Sequence, residues 1–127
     1  MILCDTDILI EFYKNNPQIF QELRYIEPHH IAISVITQAE LYFGALNKVE
    51  LEKIKRHLSG ISCIPLDRAI SQQFIQLMET YALSHKLCIP DAIIAATALV
   101  HQMELYTRNI KDFRFIADIQ LYQTVSY

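Results

Sequence analysis

Apolar residues along the chain fall into two alternating rhythms. Short apolar runs at Ile2-Leu3-Cys4, His30 to Ser34, Ile61 to Leu66, Leu105 to Thr107 and Ile119 to Tyr122 read as strands. Between them, apolar positions spaced three and four apart predict helices. Ile8, Leu9, Phe12 and Tyr13 form such a stripe from Thr6 to Tyr13. Asn16-Pro17 pairs a capping residue with proline at the first helical position, opening a helix that carries Ile19, Phe20, Leu23 and Ile26 and that Pro28 stops. Ser34 caps a helix from Val35 to about Leu46, and a charged helix runs from Glu50 to Ser59 before Gly60. Asp67 caps a long amphipathic helix to about Lys86, and Pro90-Asp91 opens an alanine-rich one to about Met103. Residues 108 to 115 read as a polar loop or short turn. No repeat, linker or low-complexity tract interrupts this order, so the pattern predicts an α/β fold with a short, mostly parallel sheet flanked by helices.

Length and composition narrow the class. A chain of 127 residues with 52% hydrophobic residues and two glycines is expected to fold as one domain, over 1–127, with a substantial core. Net charge is −3, so bulk charge does not announce a nucleic-acid binder; a polyanion would need local basic patches or a bound cation. Cys4, Cys63 and Cys88 are widely spaced among apolar neighbours and are expected to be buried, reduced thiols. The N-terminus lacks a basic leader, and the longest apolar run, Ala92 to Val100, is too short for a bilayer. The expected location is the cytoplasm.

Candidate chemistry lies in the acids. Asp5 follows the first strand directly, where ligands of open α/β sheets bind, although Asp5, Thr6 or Asp7 would also serve as a helix cap. Glu40 sits mid-helix among Ile36, Thr37, Phe43 and Gly44, a costly face for a carboxylate unless it reaches solvent or a partner. Asp91 shares its face with Ile94, Ala95 and Ala98, with capping again the plain alternative. Thr107, Asn109 and Asp112 lie past the end of another strand, on the edge expected for Asp5, or in an ordinary polar loop. If the strand ends share a side, Asp5, Glu40, Asp91 and Asp112 converge. Crowded carboxylates repel unless a cation neutralises them, and an all-oxygen set suits Mg²⁺ or Mn²⁺. Such a site fits metal-assisted phosphodiester hydrolysis.

Four segments occur in order: DTDILI from Asp5, AELYFGA from Ala39, IPDAIIAATA from Ile89 and YTRNIKDF from Tyr106. Together they resemble the PIN domain, specifically the VapC-like toxins of bacterial toxin–antitoxin pairs, from Ile2 to about Tyr122. The resemblance implies a three-layer sandwich and Mg²⁺-dependent endonucleolytic cleavage of RNA. It places successive acids at Asp5, Glu40 and Asp91, with the variable fourth assigned to Asp112. Thr6 and Thr107 match the hydroxyl residues of the first and last motifs. Asp7 departs from the family pattern, where many relatives carry Asn or Ser; the extra carboxylate would tighten a cation or repel phosphate. The resemblance further implies a VapB-like antitoxin whose tail occludes the crevice, and a homodimer.

Other residues carry less. The five histidines lack any paired metal spacing and read as surface or satisfied side chains. Lys53, Lys55, Arg56 and His57 read as a solvated face or an RNA-backbone patch, whereas Arg108, Lys111 and Arg114 lie beside the expected site and suit phosphate better. Two competing readings are a PIN-like module that binds RNA or a partner without cutting it, and a phosphatase-type enzyme using DTD as aspartyl nucleophile. The second lacks a later lysine and acid-pair motif.

Overall fold

The computed structural model describes residues 1–125; the last two residues of the expected domain, 126–127, lie outside the described residues. Four short parallel strands, β1 (Ile2–Cys4), β2 (Ile31–Ser34), β3 (Ser62–Ile64) and β4 (Glu104–Tyr106), form a sheet in the order β3-β2-β1-β4. Leu3 sits opposite Ala32 on one side and Leu105 on the other. The chain steps outward from β1 through β2 to β3, then crosses back to β4 on the far side of β1. The reversal puts the central crevice at the carboxyl end of β1.

Six helices cover the two faces: α1 (Thr6–Tyr13), α2 (Pro17–Ile26), α3 (Val35–Phe43), α4 (Lys48–Leu58), α5 (Arg68–His85) and α6 (Ile89–His101). Alternation along the strands sorts side chains between two cores. Leu3, Ala32 and Leu105 pack with Ile70, Leu77 and Ile94 of α5 and α6. Cys4, Ile31, Ile33 and Tyr106 pack with Ile8, Leu23, Leu41 and Ile54 of the other helices. The result is the helix-flanked parallel sheet that the pattern predicts, in the three-layer α/β sandwich that the resemblance implies.

Helix starts follow side-chain capping. Asn16 accepts from the amides of Gln18 and Ile19, Ser34 from Ile36, Asn47 from Glu50, and Asp67 from Ile70. α6 is buried nearly all round from Ala92 to Ala98, and its one buried hydroxyl, Thr97, donates to the Ile93 carbonyl at 2.8 Å. No helix among the described residues is long and apolar enough to cross a membrane.

Three expectations need correction. The strand expected at Ile119 to Tyr122 is a single parallel bridge, Leu105 to Leu121, because the chain there meets β4 only briefly at the sheet edge. α3 ends at Phe43 rather than Leu46, with Gly44 taking the final cap. Of the cysteines only Cys4 is buried. Cys63 lies on β3, the sheet's outer strand, where its thiol donates to Gln38 Oε1 at 2.8 Å; Cys88 occupies the exposed cap position before α6.

Glu22 is a fully buried acid on α2 with no counterpart in the expectations. Its Oε2 accepts from the Tyr122 hydroxyl and from the Val125 amide at 3.2 Å, which ties the C-terminal segment to the sandwich. Removing a donor from a buried carboxylate costs about 1.5–3 kcal/mol. Tyr122→Phe is therefore expected to lower the urea unfolding free energy by about that amount with an unchanged m-value, measured by circular dichroism.

Candidate active site

The crevice is assembled from strand ends. Asp5 follows β1, Thr107 follows β4, and Ser34 ends β2 and leads into the helix that carries Glu40. Asp5 is buried, and both its oxygens are engaged. Oδ1 accepts the Thr6 amide at 2.8 Å, the capping role the sequence left open, and Oδ2 accepts the Thr107 hydroxyl at 2.7 Å. Asp5 thus caps α1 and joins β1 to β4. Each carboxylate oxygen keeps lone pairs for a further partner.

Thr6 turns from the same helix start toward α3. Its hydroxyl lies 2.7 Å from Glu40 Oε1 and 2.9 Å from Thr37 Oγ1. A carboxylate only accepts, so the one Thr6 proton goes to Glu40, and the fully buried Thr37 donates its own proton to Thr6. Glu40 is half-buried, held by Thr6 rather than snorkelling free. Thr37 escaped the sequence reading; its one signal was its place a turn before Glu40 on the same face.

Asp91 stands in the first turn of α6 without capping it. The cap position is Cys88, whose side chain makes no capping bond. Burial raises the Asp91 carboxyl above the ordinary range, the adjacent Cys88 thiol lowers it, and the charges of Asp112 and Glu40 raise it. Asp5 is pushed up to about 7, first by burial, then by the charge of Asp7, with Asp91 adding to it. Asp7 is likewise raised by burial, against bonds from the Arg108 and Ile8 amides that favour its ionised form. The charges of Glu40 and Asp112 thus reach Asp91, and that of Asp91 reaches Asp5. Asp112 ends a short 3₁₀ turn, Ile110–Asp112, on the exposed rim, and Asn109 Nδ2 donates to Asp7 Oδ2 at 2.9 Å.

Arg108, expected beside phosphate, has an acidic partner of its own. Its guanidinium pairs with Glu11 Oε1 at 3.1 Å, while Lys111 and Arg114 stay exposed. Among the described residues, no three Asp, Glu, His or Cys side chains are gathered tightly enough to hold a metal ion as they stand. The donor chemistry nevertheless fits a hard dication: the acids are all oxygen donors, and Asp7 Oδ1 is buried with no hydrogen-bond partner. A cleft of about 650 Å³ between α5, α6 and the C-terminal segment lies at the opposite end of the sheet, and none of these acids lines it.

The residues from 2 to 118 match the family model of the PIN domain. Ribonuclease VapC10 of Mycobacterium tuberculosis is 32% identical over 117 residues, covering 89% of this chain and 86% of that protein. Among solved structures, a toxin–antitoxin complex from Klebsiella pneumoniae is 34% identical with a TM-score of 0.82, covering 98% of this chain and all of that one. FitAcB from Neisseria gonorrhoeae is 27% identical with a TM-score of 0.80, covering 97% of each chain.

The electrostatics predict an unusual pH dependence for the metal-free protein. Asp5 is raised from 3.8 to about 7, so the folded state binds more protons than the unfolded state between those values. Unfolding free energy therefore falls as pH rises through that window. Asp5→Asn is expected to flatten this slope and to be more stable than wild type at neutral pH, by on the order of a few kcal/mol. Urea titrations at several pH values in chelator measure both effects.

Proposed function

The chain belongs to the PIN-domain family, among its VapC-like toxins of toxin–antitoxin pairs, and on that premise we propose that it is a metal-dependent endoribonuclease. The observation that carries the reading is the hydrogen-bonded cluster at the strand ends, where Thr6 and Thr107 hold Asp5 and Thr6 holds Glu40, with Asp91 near enough for its charge to raise the Asp5 carboxyl. Such crowding is unfavourable for folding and is explained by a task that needs it.

Asp5, Glu40, Asp91 and Asp112 would hold Mg²⁺, with Mn²⁺ the alternative. The ion would supply Lewis-acid stabilisation of the phosphodiester and a lowered pKa for the attacking water. The chain's own residues fix the geometry. Thr107 and the Thr6 amide hold Asp5, and Thr6 with Thr37 holds Glu40. Asp7 and Asn109 shape the loop at the rim. Lys111, exposed beside Asp112, would meet the RNA backbone, with Arg108 adding positive charge beside the crevice while it stays paired with Glu11. The protein acts in the cytoplasm as a homodimer, restrained by a VapB-like antitoxin that covers the acidic crevice.

Purified protein is expected to cleave single-stranded RNA in Mg²⁺ and to stop in chelator. Asp5→Asn, Glu40→Gln and Asp91→Asn should each lose about 100-fold or more in kcat/KM, a loss of a few kcal/mol of transition-state stabilisation. Gel-based cleavage of a labelled RNA measures this. Equal cleavage by Asp5→Asn and wild type rejects the site, and RNA binding without cleavage favours a non-cutting module.

A further inference from the structure

Resting on the ribonuclease reading, we propose that Asp7 and Glu11, one turn apart on α1, are positioning residues that clasp Arg108-Asn109 and thereby fix the loop carrying Asp112. Asp7 Oδ2 accepts two donors from this segment: the Arg108 amide at 3.2 Å and Asn109 Nδ2 at 2.9 Å. Glu11 lies four residues on, hence on the same helix face, and takes the Arg108 guanidinium at 3.1 Å. Glu11 is itself steadied by Asn16 Nδ2 at 3.2 Å and Lys14 at 3.7 Å. One face of α1 thus grips the backbone and both side chains of the dipeptide.

The grip extends to the acids on either side. The Asn109 amide donates to Thr107 Oγ1 at 3.0 Å, and that hydroxyl donates to Asp5 Oδ2. The Asn109 carbonyl accepts the Asp112 amide at 2.9 Å, which starts the 3₁₀ turn ending in Asp112. Asn109 is therefore the joint between the Asp5 side of the crevice and its Asp112 side, and Asp7 holds it from below. This accounts for the residue at position 7: its Oδ2 faces loop donors, so its work is on the loop. An Asn there offers one acceptor oxygen at the same place, so Asp7→Asn keeps the clasp and Asp7→Ala removes it. Glu11 contributes the lesser part, because its ion pair with a half-exposed Arg108 is solvent-screened.

The test is hydrogen–deuterium exchange of the full-length protein in chelator, read over residues 107–113, beside RNA-cleavage kinetics in Mg²⁺. Asp7→Ala is expected to exchange the Arg108 amide about tenfold faster or more, since its bond to a carboxylate is lost. Its kcat should fall about tenfold with little change in KM, as for a group that places others. Asp7→Asn should recover most of both, and Glu11→Gln should loosen the segment about twofold. Wild-type exchange and kcat in Asp7→Ala, or an Asp7→Asn as impaired as Asp7→Ala, overturns the clasp. Should Asp7→Ala not fold, Asn109→Ala and Glu11→Gln carry the measurement, and unchanged exchange in both overturns it. Loosened exchange in Asp7→Ala together with no cleavage by wild type supports the clasp and rejects the ribonuclease reading instead.

Discussion

One buried carboxylate ties the sheet's central strand to a neighbour that follows 102 residues later in the chain. Asp5 cannot be left unpaired where it sits, because a buried acid without donors costs several kcal/mol. The fold therefore brings it the Thr6 amide from one side and the Thr107 hydroxyl from the other. The same demand brings β4 beside β1 with its end at the crevice, since Thr107 reaches Asp5 only from that register. Satisfying Asp5 and building the site are one operation.

The three residues at the start of α1 divide the work by angle. Successive helical residues point about 100° apart, so neighbours in sequence address different parts of the fold. Asp5 meets the end of β4, Thr6 meets α3 through Thr37 and Glu40, and Asp7 meets the loop after Thr107. A single turn of chain thus sets the positions of groups drawn from two distant segments, α3 and the stretch from Thr107 to Asn109. Each contact is a hydrogen bond with a defined direction, which holds side chains more narrowly than packing alone does.

The strands, the helix starts and the helical faces were legible because each follows a local rule: apolar alternation, a capping side chain, or a spacing of three and four. The acids were legible for another reason, namely that Glu40 and Asp91 occupy faces whose neighbours are apolar or small. What escaped was long-range. Thr37 looks like any helical threonine until Thr6 is seen against it. Glu11 is an ordinary surface residue by pattern and Arg108 reads as a phosphate contact, and only the fold makes them partners. Glu22 lies on an otherwise amphipathic helix, and the C-terminal donors that make its burial tolerable are 100 residues away. The misplaced burial of Cys63 and Cys88 has the same origin: apolar neighbours in sequence do not say that a strand lies at the sheet edge, as for Cys63, or that a helix-cap position faces outward, as for Cys88.

The crowding of acids also explains a choice made elsewhere in the chain. Asp91 must stand near enough to Asp5 for its charge to be felt, yet it belongs to a helix on the outer layer. Distance between a helix and a sheet is set by the side chains between them. On α6, Ala92, Ala95, Ala96 and Ala98 are all essentially inaccessible to solvent and share with Ile94 the core built on Leu3, Ala32 and Leu105 of the sheet. Small residues let the helix lie close, and its first turn carries Asp91 to the crevice. A larger aliphatic residue at Ala95 would gain apolar contact but push the helix out, widening the gap between Asp91 and Asp5. The alanines thus give up packing that a bulkier core would provide, and they do so on the helix whose height above the sheet sets how near Asp91 comes to Asp5. Like-charge repulsion acts against that closeness, so the helix is held down by its burial nearly all round rather than by any attraction at the site itself.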